Sequence, residues 1–142
     1  MGEPMANTTT ATLTDAQGRF LQEPNYAVVA ALRTDGTIHQ TVVWVDWDGE
    51  HVLLNLNTWR SKLRYLEDDP RVSVLAIDRD DPYRWVSITG RVEEITTNGA
   101  DEHIVHQAGV YRGRDTYDFK PGEQRILVKI VPERVTDYGV DS

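Results

Sequence analysis

Short apolar runs broken by Asp-Gly turns dominate the chain from Tyr26 to Asn57. "YAVVAALRTDGTIHQTVVWVDWDGEHVLLNLN" reads as three strands joined by two tight turns, "TDG" and "DWDG". A fourth strand, "RVSVLAID", leads through the loop "RDDPY" into a long fifth, "RWVSITGRVEEI". Gly90 in the interior of the fifth predicts a bulge or sharp bend. "QRILVKIV" is the sixth strand, before a short tail. Three segments change to helical spacing. In "LTDAQGRFLQEP", Thr14 and Gln17 stand in capping-box spacing and Pro24 lies beyond the end. In "NTWRSKLRYLEDDP", Trp59, Leu63 and Leu66 make an inward stripe, Thr58 is the expected N-cap and Asp69-Pro70 the stop. "GADEHIVHQAGVYRG" is the third helix, followed by a loop with Pro121-Gly122. Six mostly sequential strands with hairpin turns predict an antiparallel barrel or sandwich with a few peripheral helices, because strands and helices do not alternate. Residues 13–142 form one domain behind a small, polar start, "MGEPMANTTTAT", expected to be disordered over 1–12.

Two of the strands break the simple pattern. "YAVVAAL" and "TVVWV" are apolar on both faces, whereas strands of a simple barrel alternate. Three short helices leave part of that surface uncovered, which predicts a homodimer.

Composition narrows the function. The 142 residues carry 15 Lys+Arg against 23 Asp+Glu, a formal charge of −8, and no cysteine. This balance argues against nucleic acid and against an anionic membrane surface, and excludes disulfide or thiolate chemistry. No signal peptide, spanning apolar run or lipidation motif is recognisable, so a cytoplasmic protein is the simplest expectation.

Against that acidic background, the helix in "NTWRSKLRYLEDDP" carries its charges at the wrong ends. Arg60 and Lys62 fall where backbone N–H groups already present partial positive charge. Glu67, Asp68 and Asp69 fall where the dipole favours cations. Each misplacement costs about 0.3–1 kcal/mol, and the Arg60/Arg64 pair adds repulsion of a few tenths. Arg60 and Lys62 flank the inward stripe and can converge on an anion at the helix N-terminus. The bland alternative is that their stems cover the helix edge and reach water.

Other candidates are weaker. His103 and His106 in "DEHIVHQ" have possible ligand spacing, but no third ligand is identifiable, so no metal is expected. No nucleophile motif occurs, and Asp80-Asp81 and Glu93-Glu94 are poorly placed to share a proton, so no catalytic acid, base or nucleophile is assigned. Trp44, Trp47, Trp59 and Trp85 include core residues, and an aromatic strip beside an anion site suits a flat, phosphate-bearing ligand. This is binding chemistry, the pattern expected where a cofactor carries the reaction.

"NTWRSKLRYLEDDPRVSVLAIDRDDPYRWVSITGRVEEIT", then "GADEHI" and "PGEQRILVKIVPERV", resembles the actinobacterial branch of the flavin/deazaflavin oxidoreductases. These are pyridoxamine 5′-phosphate oxidase-like proteins with an FMN-binding split barrel. The likeness spans about Tyr26 to Tyr138. It implies a mainly β fold, a homodimeric six-stranded antiparallel split β-barrel with peripheral helices. It also implies coenzyme F420, a deazaflavin with a phosphate and a polyglutamate tail. By the resemblance, the family's phosphate-binding R-x-K falls at Arg60, Ser61 and Lys62, and Arg64 extends the positive path toward the tail. Asn57 and Thr58 would contact the sugar-alcohol chain, and Val42 and Trp44 would lie along the ring. Ile77 and Asp78 would come from a neighbouring wall or the partner subunit. The implied reaction is hydride transfer from reduced deazaflavin to an unsaturated small molecule such as a quinone or tetrapyrrole. Trp44, Trp85 and "YRGRDTYDF" are expected to set selectivity.

The alternatives are an FMN-dependent enzyme of the same fold, a non-catalytic F420 carrier, and a haem or tetrapyrrole binder. The last would want a histidine near the cleft, where His39 and His51 read as exposed strand residues.

Overall fold

The computed structural model describes residues 11–140. In chain order they form α1 (Asp15–Gln22), β1 (Tyr26–Leu32), β2 (Ile38–Val43), β3 (Asp46–Trp47), β4 (Val52–Asn57), α2 (Ser61–Asp68), β5 (Arg71–Ile77), β6 (Trp85–Thr96), α3 (Ala100–Arg112) and β7 (Arg125–Tyr138). The disorder expected of residues 1–12 falls, through residue 10, outside the described residues; Ala11 donates its N–H to the Pro132 carbonyl at 2.8 Å.

The strands make one antiparallel sheet in the order β2-β1-β5-β6-β7-β4-β3. β2 and β3 are its two outer strands, yet only Trp44 and Val45 separate them in sequence. The steps from Val43 to Asp46 span at most about 11 Å. A sheet whose far edges are tied by so short a tether must curl until they meet. The curled, mainly β architecture agrees with the barrel expectation, but it has seven strands rather than six.

The extra strand is β3, inside the segment read as a turn. Asp46 and Trp47 pair with Leu53 and Val52. The tight turn is displaced to Asp48–Glu50, where Asp48 Oδ1 accepts from the N–H groups of Glu50 and His51 and Gly49 takes a φ of 98°. The last strand also runs further than expected, to Tyr138 instead of ending at Val131. Pro132, without an N–H, lies opposite Gly90 where the β6–β7 register shifts, so the ladder loses nothing and continues. Gly90 is required by close approach: a Cβ there would lie 2.2 Å from the Val131 carbonyl oxygen.

Inside the curl, Ala27, Val29 and Ala31 of β1 pack with Val72, Val74 and Ala76 of β5 and Val86 and Ile88 of β6. α1 has both bonds of the expected capping box, Gln17 N–H to Thr14 Oγ1 and Thr14 N–H to Gln17 Oε1. It inserts Phe20 and Leu21 into the core. Gly18 admits the Trp47 indole against α1, since a Cβ there would lie 2.8 Å from the ring. α2 starts later than expected. Asn57 accepts from Trp59 N–H through Oδ1 and from Arg60 N–H through its carbonyl, which makes Arg60, not Thr58, the N-cap. The inward stripe changes accordingly: Leu63 and Leu66 are buried, Trp59 is 55% exposed, and Lys62 points inward at 6% exposure.

His51 is not the exposed strand residue expected. It is held between Asp48 Oδ2 (3.2 Å) and Glu93 Oε1 (2.6 Å), tying the β3–β4 turn to β6. Burial alone would lower its pKa, but the hydrogen bonds and charges of Glu93 and Asp48 outweigh burial and raise it. A raised folded-state pKa contributes stability that is complete below the unfolded value of about 6.5 and lost as pH rises through the folded value. Chemical denaturation of His51→Gln against wild type should therefore show the largest deficit in mildly acid buffer, shrinking toward alkaline pH. Gly90→Ala should lower stability by about 1–3 kcal/mol at any pH, read as a fall in Tm.

Candidate functional site

The curl brings the two ends of the sheet together around a groove of about 560 Å³. β2 and the following tether supply Thr41, Val42, Val43 and Trp44; β4 supplies Asn55 and Leu56. Arg60 and Lys62 enter from the start of α2, and Ile104, Ala108 and Arg112 from α3. The loop 113–124 closes the remaining side with Arg114, Thr116, Tyr117, Asp118 and Lys120, and Arg125 opens β7 beneath it.

α2 has the electrostatics read from its sequence. No acidic residue stands in its first turn, no basic residue in its last, and Arg60 makes no side-chain capping bond. Lys62 is nearly enclosed, and burial followed by the charge of Arg60 lowers its pKa. Neither Lys62 nor Arg60 has an ion-pair partner among the described residues. Across the groove, Thr41 Oγ1 is buried with no hydrogen-bond partner. Unpaired buried polar atoms are uncommon because each forfeits its hydration. One such hydroxyl, facing a groove that also holds a largely buried lysine without an ion-pair partner, fits a ligand with an anionic group and further acceptors, as a phosphorylated flavin or deazaflavin cofactor has.

The floor is built differently. Arg125 is buried, donating from Nε to Asn55 Oδ1 (2.9 Å), from Nη2 to the Asn55 carbonyl (3.0 Å), and from Nη1 to Glu123 Oε2 (2.7 Å) and Tyr117 Oη (3.2 Å). For Glu123, burial alone would raise the pKa. The Lys120 N–H, Arg125, Asn57 and Tyr117 all donate to the carboxylate and bring it down to about 2. The chain of contacts continues outward. Asn55 Nδ2 donates to the Ala100 carbonyl (2.9 Å) and lies 3.1 Å from His103 Nδ1, and His103 Nε2 reaches Asp46 Oδ2 at 2.9 Å. His103 is thus a structural link between α3 and β3, and among the described residues no group of three or more His, Asp or Glu side chains gathers to hold a metal.

Of the residues singled out from sequence, Val42, Trp44, Arg60 and Lys62 line this groove. Thr58, Ser61 and Arg64 line a second cleft of about 420 Å³ on the other flank of α2, with Trp59 and Ile126; Arg60 borders both. Asn57 lies under the turn between them, its Nδ2 donating to Glu123 Oε2. Ile77 and Asp78 line neither. Ile77 pairs with Tyr26 and Trp85, and Asp78 organises the next loop, accepting from Asp80 and Asp81 N–H and pairing with Arg84 at 2.6 Å. No histidine lines the groove.

Sequence reasoning missed Thr41, Asn55, Arg125 and the aromatic tier behind Trp44. Asn55 had a signal, as a polar residue inside the apolar run "VLLNLN"; Arg125 stands at the head of "RILVKI", where a charged residue is ordinary. Trp44 stacks on Tyr111 with ring centres 4.8 Å apart and planes 12° apart. The Tyr111 hydroxyl accepts from Val45 N–H (3.1 Å), and its proton is shared between the carbonyls of Asn25 (3.2 Å) and Val45 (3.3 Å).

Similarity to known proteins agrees with this fold. An F420H2-dependent biliverdin reductase of Mycobacterium tuberculosis is 28% identical over 132 residues, covering 92% of this chain and 91% of that protein. A solved structure of an F420 reductase superposes with a TM-score of 0.74 at 27% identity, covering 87% of this chain and 98% of the other. General stress protein 26 of Bacillus anthracis shares the fold at 15% identity, with a TM-score of 0.65 over 89% of this chain and 94% of its own. The family model described as pyridoxamine 5′-phosphate oxidase matches residues 13–139, nearly the whole chain, and the protein belongs to that family.

Proposed function

We propose that this protein is a reductase that uses reduced coenzyme F420 and acts on an unsaturated, tetrapyrrole-like small molecule. The observation that carries the reading is the buried, unpaired Lys62 beside Arg60 at a helix start with no acidic residue, facing the orphaned Thr41 hydroxyl. The identities with an F420H2-dependent biliverdin reductase and an F420 reductase support it. Lys62, Arg60 and the free N–H groups at the start of α2 would hold the cofactor's phosphate. Thr41 Oγ1 would donate to or accept from the polar rim of its ring system. Ser61 and Arg64, on the flanking cleft, would take the anionic tail, and Asn57 and Thr58 the sugar-alcohol chain. When bound, the reduced deazaflavin supplies a hydride to the acceptor.

The chain's own contribution is to bind, orient and keep water out. Val43, Leu56, Ile104 and Ala108 give the groove apolar walls, with Val42 at its exposed edge. No histidine or glutamate lines it, and its one carboxylate, Asp118, is exposed and lies 3.6 Å from Arg114. The proton-bearing side chains that line it are Lys62, Lys120 and Tyr117, whose hydroxyl donates to Glu123, and the proton that completes the reduction would come from one of these or from water.

The outer face of the sheet supports a homodimer. Val42, Val28 and Leu75 stand opposite one another across β2, β1 and β5, and Val42 is 69% exposed. Tyr26 and Tyr138 are exposed at the same end. Ile77 and Asp78 would reach a cofactor only across such an interface.

Titrating the cofactor-free protein with F420 and separately with FMN, read by fluorescence, tests the assignment. Tight F420 binding with weak FMN binding is expected; the reverse would make it an FMN enzyme, and binding of neither would sink the reading. Turnover of reduced F420 with any acceptor separates an enzyme from a carrier. Lys62→Met should weaken F420 binding by about 1.5–3 kcal/mol. It should also raise the Tm of the free protein, because a lowered lysine pKa means that the fold disfavours the charged form.

A further inference from the structure

The groove holds more positive charge than a phosphate uses. Besides Arg60 and Lys62 at one end, Arg112, Arg114 and Lys120 line it from α3 and the following loop, in a protein of net charge −8. Arg125 is already neutralised by Glu123. Arg114 has only the exposed Asp118 at 3.6 Å, and Arg112 has no carboxylate partner among the described residues.

Arg112 is nevertheless held in place. Its guanidinium lies over the Trp44 ring, 5.5 Å from the ring centre. Trp44 in turn lies on Tyr111, and Tyr111 is pinned through its hydroxyl to the backbone of Val45 and Asn25. A guanidinium stacked on a fixed aromatic tier loses little freedom when it binds a carboxylate, and its fork matches the two oxygens. Arg112 is also in the last turn of α3, where the helix dipole favours a cation. The stack therefore stabilises Arg112 without neutralising it.

We infer that Arg112, carried on the Trp44–Tyr111 tier and assisted by Arg114 and Lys120, binds a carboxylate of the acceptor, so that the enzyme selects flat, conjugated substrates bearing acidic side chains. This rests on the F420-reductase reading for the word acceptor, while the anion selectivity of the groove can be measured without turnover.

The experiment is equilibrium binding of biliverdin and of biliverdin dimethyl ester, followed by quenching of tryptophan fluorescence, with and without F420. The two probes share a chromophore and differ in their carboxylates. Wild type should bind the acid about tenfold or more tightly than the ester. Arg112→Ala should abolish most of that preference by weakening the acid alone, Arg112→Lys should retain part of it, and neither should change F420 affinity. Equal affinity of wild type for acid and ester would overturn the inference. So would an Arg112→Ala protein that binds F420 more weakly but the tail-less deazaflavin normally, since Arg112 would then serve the cofactor's glutamates. Failure of F420 to bind would remove the proposed function, and the acid-to-ester ratio would still decide whether this end of the groove recognises carboxylates.

Discussion

The Trp44–Val45 tether is the constraint on which the rest of the structure depends. It passes from one outer strand of the sheet to the other, and so obliges a seven-stranded antiparallel sheet to curl until its ends meet. The groove is that meeting place: Thr41 to Trp44 come from one end of the strand order and Asn55 and Leu56 from the other. α3 secures the tether on its exposed side. Tyr111 bonds the backbone of Val45, and His103, two turns earlier on the helix, bonds the carboxylate of Asp46. A helix with acids in its first turn, an arginine in its last and glycines at both caps is an electrostatically sound brace for that task.

α2 is the opposite kind of helix, and the contrast has a use. Its dipole is unfavourably loaded at both ends, it lacks a side-chain cap, and it turns a lysine inward. Such features lower the stability of the free protein and persist where binding needs them. Leu63 and Leu66 anchor α2 in the core despite that loading, and on the proposed function an anion at its start would relieve the cations misplaced there.

Much of this was legible in the sequence, and the failures have physical causes. The helices, the Gly90 bulge and the order of long strands follow from capping, turn chemistry and periodicity. The cationic helix start was legible because charge and dipole are both written locally. β3 was not, because a two-residue strand has no periodicity and its pairing depends on the tether. Lys62's inward turn was hidden by the N-cap: Asn57 captures the N–H of Trp59, the helix begins two residues later than Thr58 suggests, and Trp59 falls outside the stripe. Thr41, Asn55 and Arg125 meet only after long-range pairing, as with the β4–β7 register that sets Asn55 beside Leu127 and Asn57 opposite Arg125.

The groove also contains its own control for what an unpaired cation means. Arg125 and Lys62 are both buried cations bordering the same space. For Arg125 the fold supplies a carboxylate, a phenol, an amide oxygen and a backbone carbonyl, and Glu123 is drawn down to about 2 in the process. For Lys62 it supplies nothing of the kind, and the ammonium bears both burial and the repulsion of Arg60. A chain with eight more acidic than basic residues does not lack carboxylates to place there. Leaving one buried cation fully bonded and the other bare separates the structural role from the binding role. On the proposed function, the unpaired charge of Lys62 is the property of α2 that the cofactor's phosphate, rather than the fold, would satisfy.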